Sequence, residues 1–349
     1  MDDIYISNKR RNSQDFIVEI PEDEFLSPPP EDNEPPKKKK RKKHRFLRFI
    51  TKVVALIFIL SSCVIFLFAA ASGYTRNDLK KNEYISTSQL KRSPLVTNIL
   101  LLGVDGDAGS SSRSDSMILV SVDFAHAKIK LTSFLRDSWV EIPSKGKKAK
   151  LNAACSYGGP QLVCDTIEYN FGVDIDHFVM VDFDMFTQII DSLGGVEVEV
   201  TKKEADFINR TTRQNIDYGE NIRLNGDEAL VYCRIRKLDS DYMRTYRQRK
   251  VITALINSAG DAGAVKLLET MRQVFPLIQT DMSPLELTAL SYKAGVGMLA
   301  FDIEQNRVPI DEHMKPQTIN GQWVESLDID ATKEYLIEYI YTNNIKIDE

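Results

Sequence analysis

Residues 98–134 read NILLLGVDGDAGSSSRSDSMILVSVDFAHAKIKLTSF. Three apolar runs stand out, Asn98–Val104, Met117–Asp123 and Lys128–Phe134, each rich in Ile, Leu or Val and bounded by turn-forming residues. Each predicts a β-strand. Downstream, Gly159–Asn170 reads as a helix and His177–Asp182 as a strand. Asp184–Leu193 reads as a helix closed by Gly194-Gly195, followed by the alternating strand Val196–Val200. Leu230–Arg236 reads as another strand, Asp241–Ser258 as a long helix, residues 260–300 as helical, and the last fifty as mixed structure. There is no internal repeat. Strands alternating with helices predict one α/β domain, a layered sandwich over residues 97–345.

Upstream the chain changes character. Residues 1–36 carry ten acidic and three basic side chains and end in Pro28-Pro29-Pro30 and Pro35-Pro36. With no sustained apolar period they read as a disordered tail. Residues 37–45 are all basic or His. From Val53 to Ala71 there are nineteen residues without a charge, a helix of about 28 Å. Residues 46–72 are therefore expected to form one transmembrane helix. The basic run flanks only its N-terminal side, which places residues 1–45 in the cytoplasm and the main domain outside. The span starts too far into the chain for a cleavable signal peptide. Polar residues 73–96 read as a stalk.

The net charge of −5 conceals this polarisation: −7 in residues 1–36, +10 in residues 37–72, and −8 in the remainder. An acidic main domain argues against nucleic-acid binding. The four cysteines and four histidines show no zinc spacing. Cys155 and Cys164 read as two packed thiols, with a disulfide as the lesser alternative, and Cys233 as a small buried hydrophobe.

Three clusters can carry chemistry. Asp105 and Asp107 end the first strand, with Arg113-Ser114-Asp115 shortly after. Carboxylates at the C-terminal end of a strand face the crevice where α/β sheets bind ligands, and Asp105 and Asp115 can share a Mg²⁺ with phosphate oxygens. An EF-hand fails, because position 12 from Asp105 is Ser116. The second cluster is Arg136-Asp137 with Lys150-Leu151-Asn152. The third runs from Tyr232 to Gln248. Its reading as strand then helix points Arg234 and Arg236 to one side of a sheet and sets Asp241, Arg244 and Gln248 in one helical stripe beside Arg247. Residues 234–250 hold seven basic and two acidic side chains in an otherwise acidic domain. Guanidinium forks match phosphate oxygens, so a pyrophosphate clamp is the chemistry that pattern suits.

Taken together, Asn98–Asp105, Arg113-Ser114-Asp115, Arg136-Asp137, Lys150 to Ala154, Tyr157 to Pro160, Asp191 to Val196, Leu224-Asn225-Gly226 and Arg234 to Gln248 resemble the LytR–CpsA–Psr family from about Thr97 to Ser258. Leu135 stands where the family commonly has Pro, a departure that removes no charge. The resemblance implies an α/β/α sandwich with a central mixed β-sheet that holds a polyprenyl pyrophosphate, its tail in an apolar channel. The implied activity is transfer of a phospho-glycopolymer (teichoic acid, capsule or a relative) to a muramic acid hydroxyl of peptidoglycan. Asp105 and Asp115 match the family's Mg²⁺ carboxylates, with Mn²⁺ as a substitute ion. Arg113, Arg136, Arg234 and Arg236 match its pyrophosphate arginines, and Asp241, Arg244, Arg247 and Gln248 its downstream element. Catalytic roles are expected for Asp105, Asp115, Arg136, Arg234, Arg236 and Asp241. Substrate contacts are expected for Arg113, Asp137, Lys150, Asn152, Arg244, Arg247 and Gln248. A non-catalytic lipid- or glycan-binding scaffold and a membrane-bound transcriptional attenuator are the alternatives.

Overall fold

The computed structural model describes residues 73–106, 112–261, 263–342 and 344–345, with short helical pieces at 51–52, 61–67 and 70–71. The tail, the basic run, most of the expected span and Asp107 lie outside the described residues. Among the described residues no helix is long and apolar enough to cross a membrane.

The core is a seven-stranded mixed sheet. Its strands are β1 (Thr75–Arg76), β2 (Val96–Val104), β3 (Ser114–Asp123), β4 (Lys128–Phe134), β7 (His177–Val181), β10 (Gln279–Thr280) and β11 (Asp302–Val308), in the order β1-β10-β7-β2-β3-β4-β11. β3 runs antiparallel to both β2 and β4, while β7 pairs in parallel with β2 and β11 in parallel with β4. Both faces are covered, which is why these strands read as near-continuous apolar runs. On one face Leu100, Leu102, Met117 and Leu119 pack on α1 (Ala153–Phe171) and α8 (Ile329–Tyr341). On the other, Leu101, Ile118, Val120 and Leu131 meet Ile252 and Ile256 of α5 (Asp241–Asp261). The alternation follows from the period of two along a strand.

Two smaller units build out the site. β8 (Val196–Val200) pairs with β9 (Gly219–Leu224), and its buried valines alternate with exposed Glu197 and Glu199. They share a core with α2 (Phe183–Leu193), α3 (Lys202–Thr212) and α4 (Gly226–Arg234). A four-stranded sheet, β12-β13-β5-β6, joins β5 (Ser138–Ile142) and β6 (Lys147–Lys150) to the hairpin β12 (Met314–Ile319) and β13 (Gln322–Leu327). Helices α6 (Gly263–Val274) and α7 (Pro284–Ala300) complete the set.

The strand expected at Leu230–Arg236 is a correction: residues 226–234 form α4. Asn225 caps it by accepting the Glu228 N–H at 3.0 Å, while the Glu228 carboxylate accepts the Asn225 N–H at 2.9 Å. That capping box nucleates a helix and outweighs the strand preference of Val231 and Tyr232. Ala229, Tyr232 and Cys233, at helical spacing, form its buried face. Gly226 is required at its start, since a Cβ there would lie 2.4 Å from the Thr187 carbonyl oxygen. Residues 73–96, expected as a stalk, are partly built into the domain. β1 pairs with β10, and Asn82 donates to Glu168 of α1 at 2.9 Å. Cys155 and Cys164 are free and buried.

Candidate active site

Two strand ends and a turn set out the site. Asp105 follows β2, Asp115 opens β3, and Arg136-Asp137 form the turn between β4 and β5. Main-chain bonds from Leu151 N–H to Ser138 O at 2.9 Å and from Asn152 N–H to Arg136 O at 3.2 Å bring Lys150 and Asn152 beside that turn. Asp105, Arg113, Asp115, Arg136, Asp137, Lys150 and Asn152 thus line one polar pocket of about 430 Å³.

Asp115 is the hub. Arg136 Nη1 lies 2.9 Å from one of its carboxylate oxygens and Arg236 Nη2 3.0 Å from the other, while Arg244 Nη2 donates to its carbonyl at 3.2 Å. Arg136 also reaches toward Asp241 at 3.6 Å, and Arg244 pairs with Asp241 at 2.9 Å. Lys150 holds Asp137 at 2.6 Å. Arg234, at the end of α4, lies over the Phe183 ring at 4.2 Å and 3.8 Å from Asp105. Arg234 and Arg236 reach the site from a helix end and the residues after it, so the convergence expected from a shared strand face has a different origin.

The charges are crowded. Burial raises the Asp115 carboxyl, but the hydrogen bond from Arg136 and the charges of Arg136, Arg236 and Arg244 overcome it and hold its pKa below the usual range. Burial pulls Arg244, 1% exposed, down to about 10; Asp241 opposes this, and Arg136 and Arg236 add to it. Burial also works against Arg136, yet Asp115, Asp241 and Asp137 raise its pKa overall. At Arg244 the neighbouring guanidiniums of Arg136 and Arg236 oppose the charged form, and a multiply charged anion bound there would offset that repulsion.

Arg247 has a different environment. It is 2% exposed, with Nε on Glu204 at 2.6 Å, Nη1 on the Ile235 carbonyl at 3.3 Å and Nη2 on Asp239. It braces α3, α5 and the 235–239 segment against one another. Gln248 accepts from the Ser116 hydroxyl at 3.1 Å.

Below the arginines the surface turns apolar. A cavity of about 340 Å³ begins at Asp115, Arg236, Arg244 and Gln248 and continues between Leu101, Ile118, Phe183, Phe186, Ile252 and Phe275. Sequence reasoning had no route to this lining, which is collected from β2, β3, α2, α5 and the segment after α6. No periodicity links such residues. Asp115 faces both spaces, so one edge of the site is charged and the other oily.

Metal fit can be judged from the carboxylates. Among the described residues no group of three or more His, Cys, Asp or Glu could hold an ion. Asp105 and Asp115 share the polar pocket, a donor set suited to Mg²⁺ only if phosphate oxygens and water supply the remaining positions.

The profile of the LytR_cpsA_psr family matches residues 63–338. The polyisoprenyl-teichoic acid–peptidoglycan teichoic acid transferase TagU of Oceanobacillus iheyensis is 35% identical over 246 residues, 68% of this chain and 72% of that protein. TagU of Halalkalibacterium halodurans is 37% identical over 171 residues, 48% of this chain, and the chain spans only 55% of that relative's length. Among solved structures, "TagT bound to LI-WTA" superposes with a TM-score of 0.62 at 25% identity, covering 76% of this chain and 98% of that one. With the profile spanning most of the described domain, the chain belongs to the LytR–CpsA–Psr family.

Proposed function

We propose that this chain is a membrane-anchored, extracellular phosphotransferase that moves a polyprenyl-pyrophosphate-linked glycopolymer onto a muramic acid hydroxyl of peptidoglycan. The observation that carries the reading is the junction at Asp115, which lines both the apolar cavity and the polar pocket and is held there by Arg136, Arg236 and Arg244. A lipid pyrophosphate has that polarity, a hydrocarbon tail joined to a compact polyanion. Relatives named teichoic acid transferases and the TagT structure named for bound LI-WTA support it.

In this reading the tail lies along Phe183, Phe186 and Ile252, and each buried CH₂ contributes about 0.8 kcal/mol. The arginines bind both phosphates and neutralise charge growing on the departing one. The acceptor hydroxyl oxygen forms a bond to the sugar-side phosphorus, and the bond from that phosphorus to the bridging oxygen breaks. The lipid leaves as its monophosphate, and the hydroxyl proton passes to a carboxylate, Asp105 or Asp241. Asp105 and Asp115 would hold a Mg²⁺, which supplies further charge neutralisation on the phosphates. The basic run before Val53 supports an N-terminus in the cytoplasm and a domain outside, with residues 46–72 keeping the site near its lipid.

The test is polymer attachment by full-length chain in membranes, with Arg136→Ala, Arg234→Ala and Arg236→Ala each compared with wild type. Loss in all three is expected. Attachment left intact in all three would end the pyrophosphate reading.

A further inference from the structure

A third pocket, of about 240 Å³, adjoins the polar one and shares Arg113, Lys150 and Asn152 with it. Among the described residues it shares none of its lining with the apolar cavity, which meets the polar pocket at Asp115. The three spaces therefore run in order from oily, through charged, to this one. Its walls are Trp139 of β5, Lys148 of β6 and Tyr157 of α1, with Asn320 and Gln322 from the β12–β13 hairpin. Tyr157 is placed by a break in α1. Gly159, at φ +64°, turns the first turn of that helix away from the rest, leaving the Tyr157 ring 44% exposed with Lys145 over it.

We infer that this pocket is the subsite for the acceptor saccharide, a muramyl glycan whose hydroxyl attacks the phosphorus. The inference rests on the phosphotransferase reading and adds to it a place for the second substrate. Three observations carry it. In-line displacement requires the nucleophile to arrive opposite the leaving group. With the lipid tail in the apolar cavity its phosphate would leave on the Asp115 side, so the acceptor would enter across the polar pocket from there, and this space adjoins that pocket at Arg113, Lys150 and Asn152 instead. Asn152 is 4% exposed, and among the described residues its side-chain oxygen is buried without a hydrogen-bond donor. Such an oxygen needs an O–H or N–H, which a sugar hydroxyl or acetamido group offers and an ionised phosphate does not. Finally, aromatic rings beside amide and ammonium groups suit a sugar that carries a carboxylate-bearing peptide. Lysines on the edge strand β6 also deter strand pairing, but that role explains neither the orphaned oxygen nor the aromatic walls.

The test uses full-length chain in detergent with a lipid-pyrophosphate saccharide as donor and a GlcNAc–MurNAc-peptide as acceptor. Tyr157→Ala and Lys148→Glu, both at exposed positions, are compared with wild type. Acceptor KM should rise about tenfold, the usual cost of truncating one binding anchor, while kcat and donor KM hold. Saturation-transfer NMR with the acceptor alone should show its binding to wild type lost in the variants. Unchanged acceptor KM in both variants would overturn the inference. So would a rise in donor KM instead, which would give the pocket to the polymer being transferred. If wild type binds the acceptor, loses it in the variants, yet transfers nothing, the subsite stands and the phosphotransferase reading falls. If wild type neither binds nor transfers, both fall.

Discussion

Replacing Arg136 with Ala removes a side chain that reaches three of the four carboxylates described at the site, Asp115, Asp137 and Asp241 but not Asp105. Its guanidinium lies 2.9 Å from Asp115, 3.5 Å from Asp137 and 3.6 Å from Asp241. Only the Asp115 contact is a hydrogen bond, so most of the guanidinium's capacity is uncommitted before substrate arrives. With 17% side-chain exposure it is partly desolvated, and its attraction for phosphate is less screened than at the surface. Losing one pre-oriented donor to a developing oxyanion costs about 10²–10³ in kcat, or about 3–4 kcal/mol. The cost to folding should be far smaller, about 1 kcal/mol for partly exposed pairs, or about 2–4 °C in Tm. Arg136→Lys should recover charge but not the fork, and fall between. The assay is single-turnover transfer from a lipid-pyrophosphate donor, with Tm read on the same preparations. Activity within threefold of wild type would refute the reasoning, as would a rate loss that merely tracks unfolding.

Other perturbations separate scaffold from chemistry. Arg247→Ala should strand Glu204, a buried carboxylate whose pKa burial raises but Arg247 and Thr201 pull below normal. A loss of about 3–5 kcal/mol in urea unfolding is expected, with transfer by the remaining folded protein preserved. Gly226→Ala, forcing a Cβ against the Thr187 carbonyl, should cost about 1–3 kcal/mol by thermal melt because the backbone must shift. Glu168 is pushed up to about 7 by burial, despite hydrogen bonds from Ile175 and Asn82. Between pH 4.5 and 7 the folded state keeps a proton that the unfolded chain releases, so stability should fall as pH rises through that window, by up to about 3 kcal/mol. Asp165, raised to about 6, acts in the same direction. Glu168→Gln should flatten most of that slope in denaturation curves collected from pH 4 to 8.

Much of this molecule was legible in its sequence, and the failures have physical causes. β2, β3 and β4 announced themselves because a sheet covered on both faces needs unbroken apolar runs. The helix at Asp184–Leu193 was legible from its Gly-Gly stop. Residues 230–236 were misread because β-branched and aromatic side chains at Val231 and Tyr232 mimic a strand. The Asn225–Glu228 capping box five residues earlier was the signal that could have corrected this. β6 was missed because Lys147–Lys150 carries no apolar pattern, whereas Ser138–Ile142 of β5 does alternate and its short run was passed over. Of the candidate residues, the polar pocket gathers Asp105, Arg113, Asp115, Arg136, Asp137, Lys150 and Asn152, while Arg234, Arg236, Arg244 and Gln248 line the apolar cavity that meets it at Asp115. Arg247 shows the limit of a helical stripe argument. It neighbours Arg244 in sequence, but its partners Glu204 and Asp239 were invisible until the chain folded. Asp191 and Gly226 teach the same lesson. The Asp191 carboxylate accepts the Gly226 N–H at 2.8 Å, so two of the most recognisable positions join α2 to α4.

The most direct test of the central claim is covalent product formation by full-length chain in detergent. It needs Mg²⁺, a synthetic lipid-pyrophosphate saccharide, peptidoglycan oligomers and mass spectrometric detection. A phosphodiester-linked product that vanishes in Asp115→Ala is the predicted result. Donor bound tightly with no product from any acceptor would contradict a transferase and leave this site a place for binding alone.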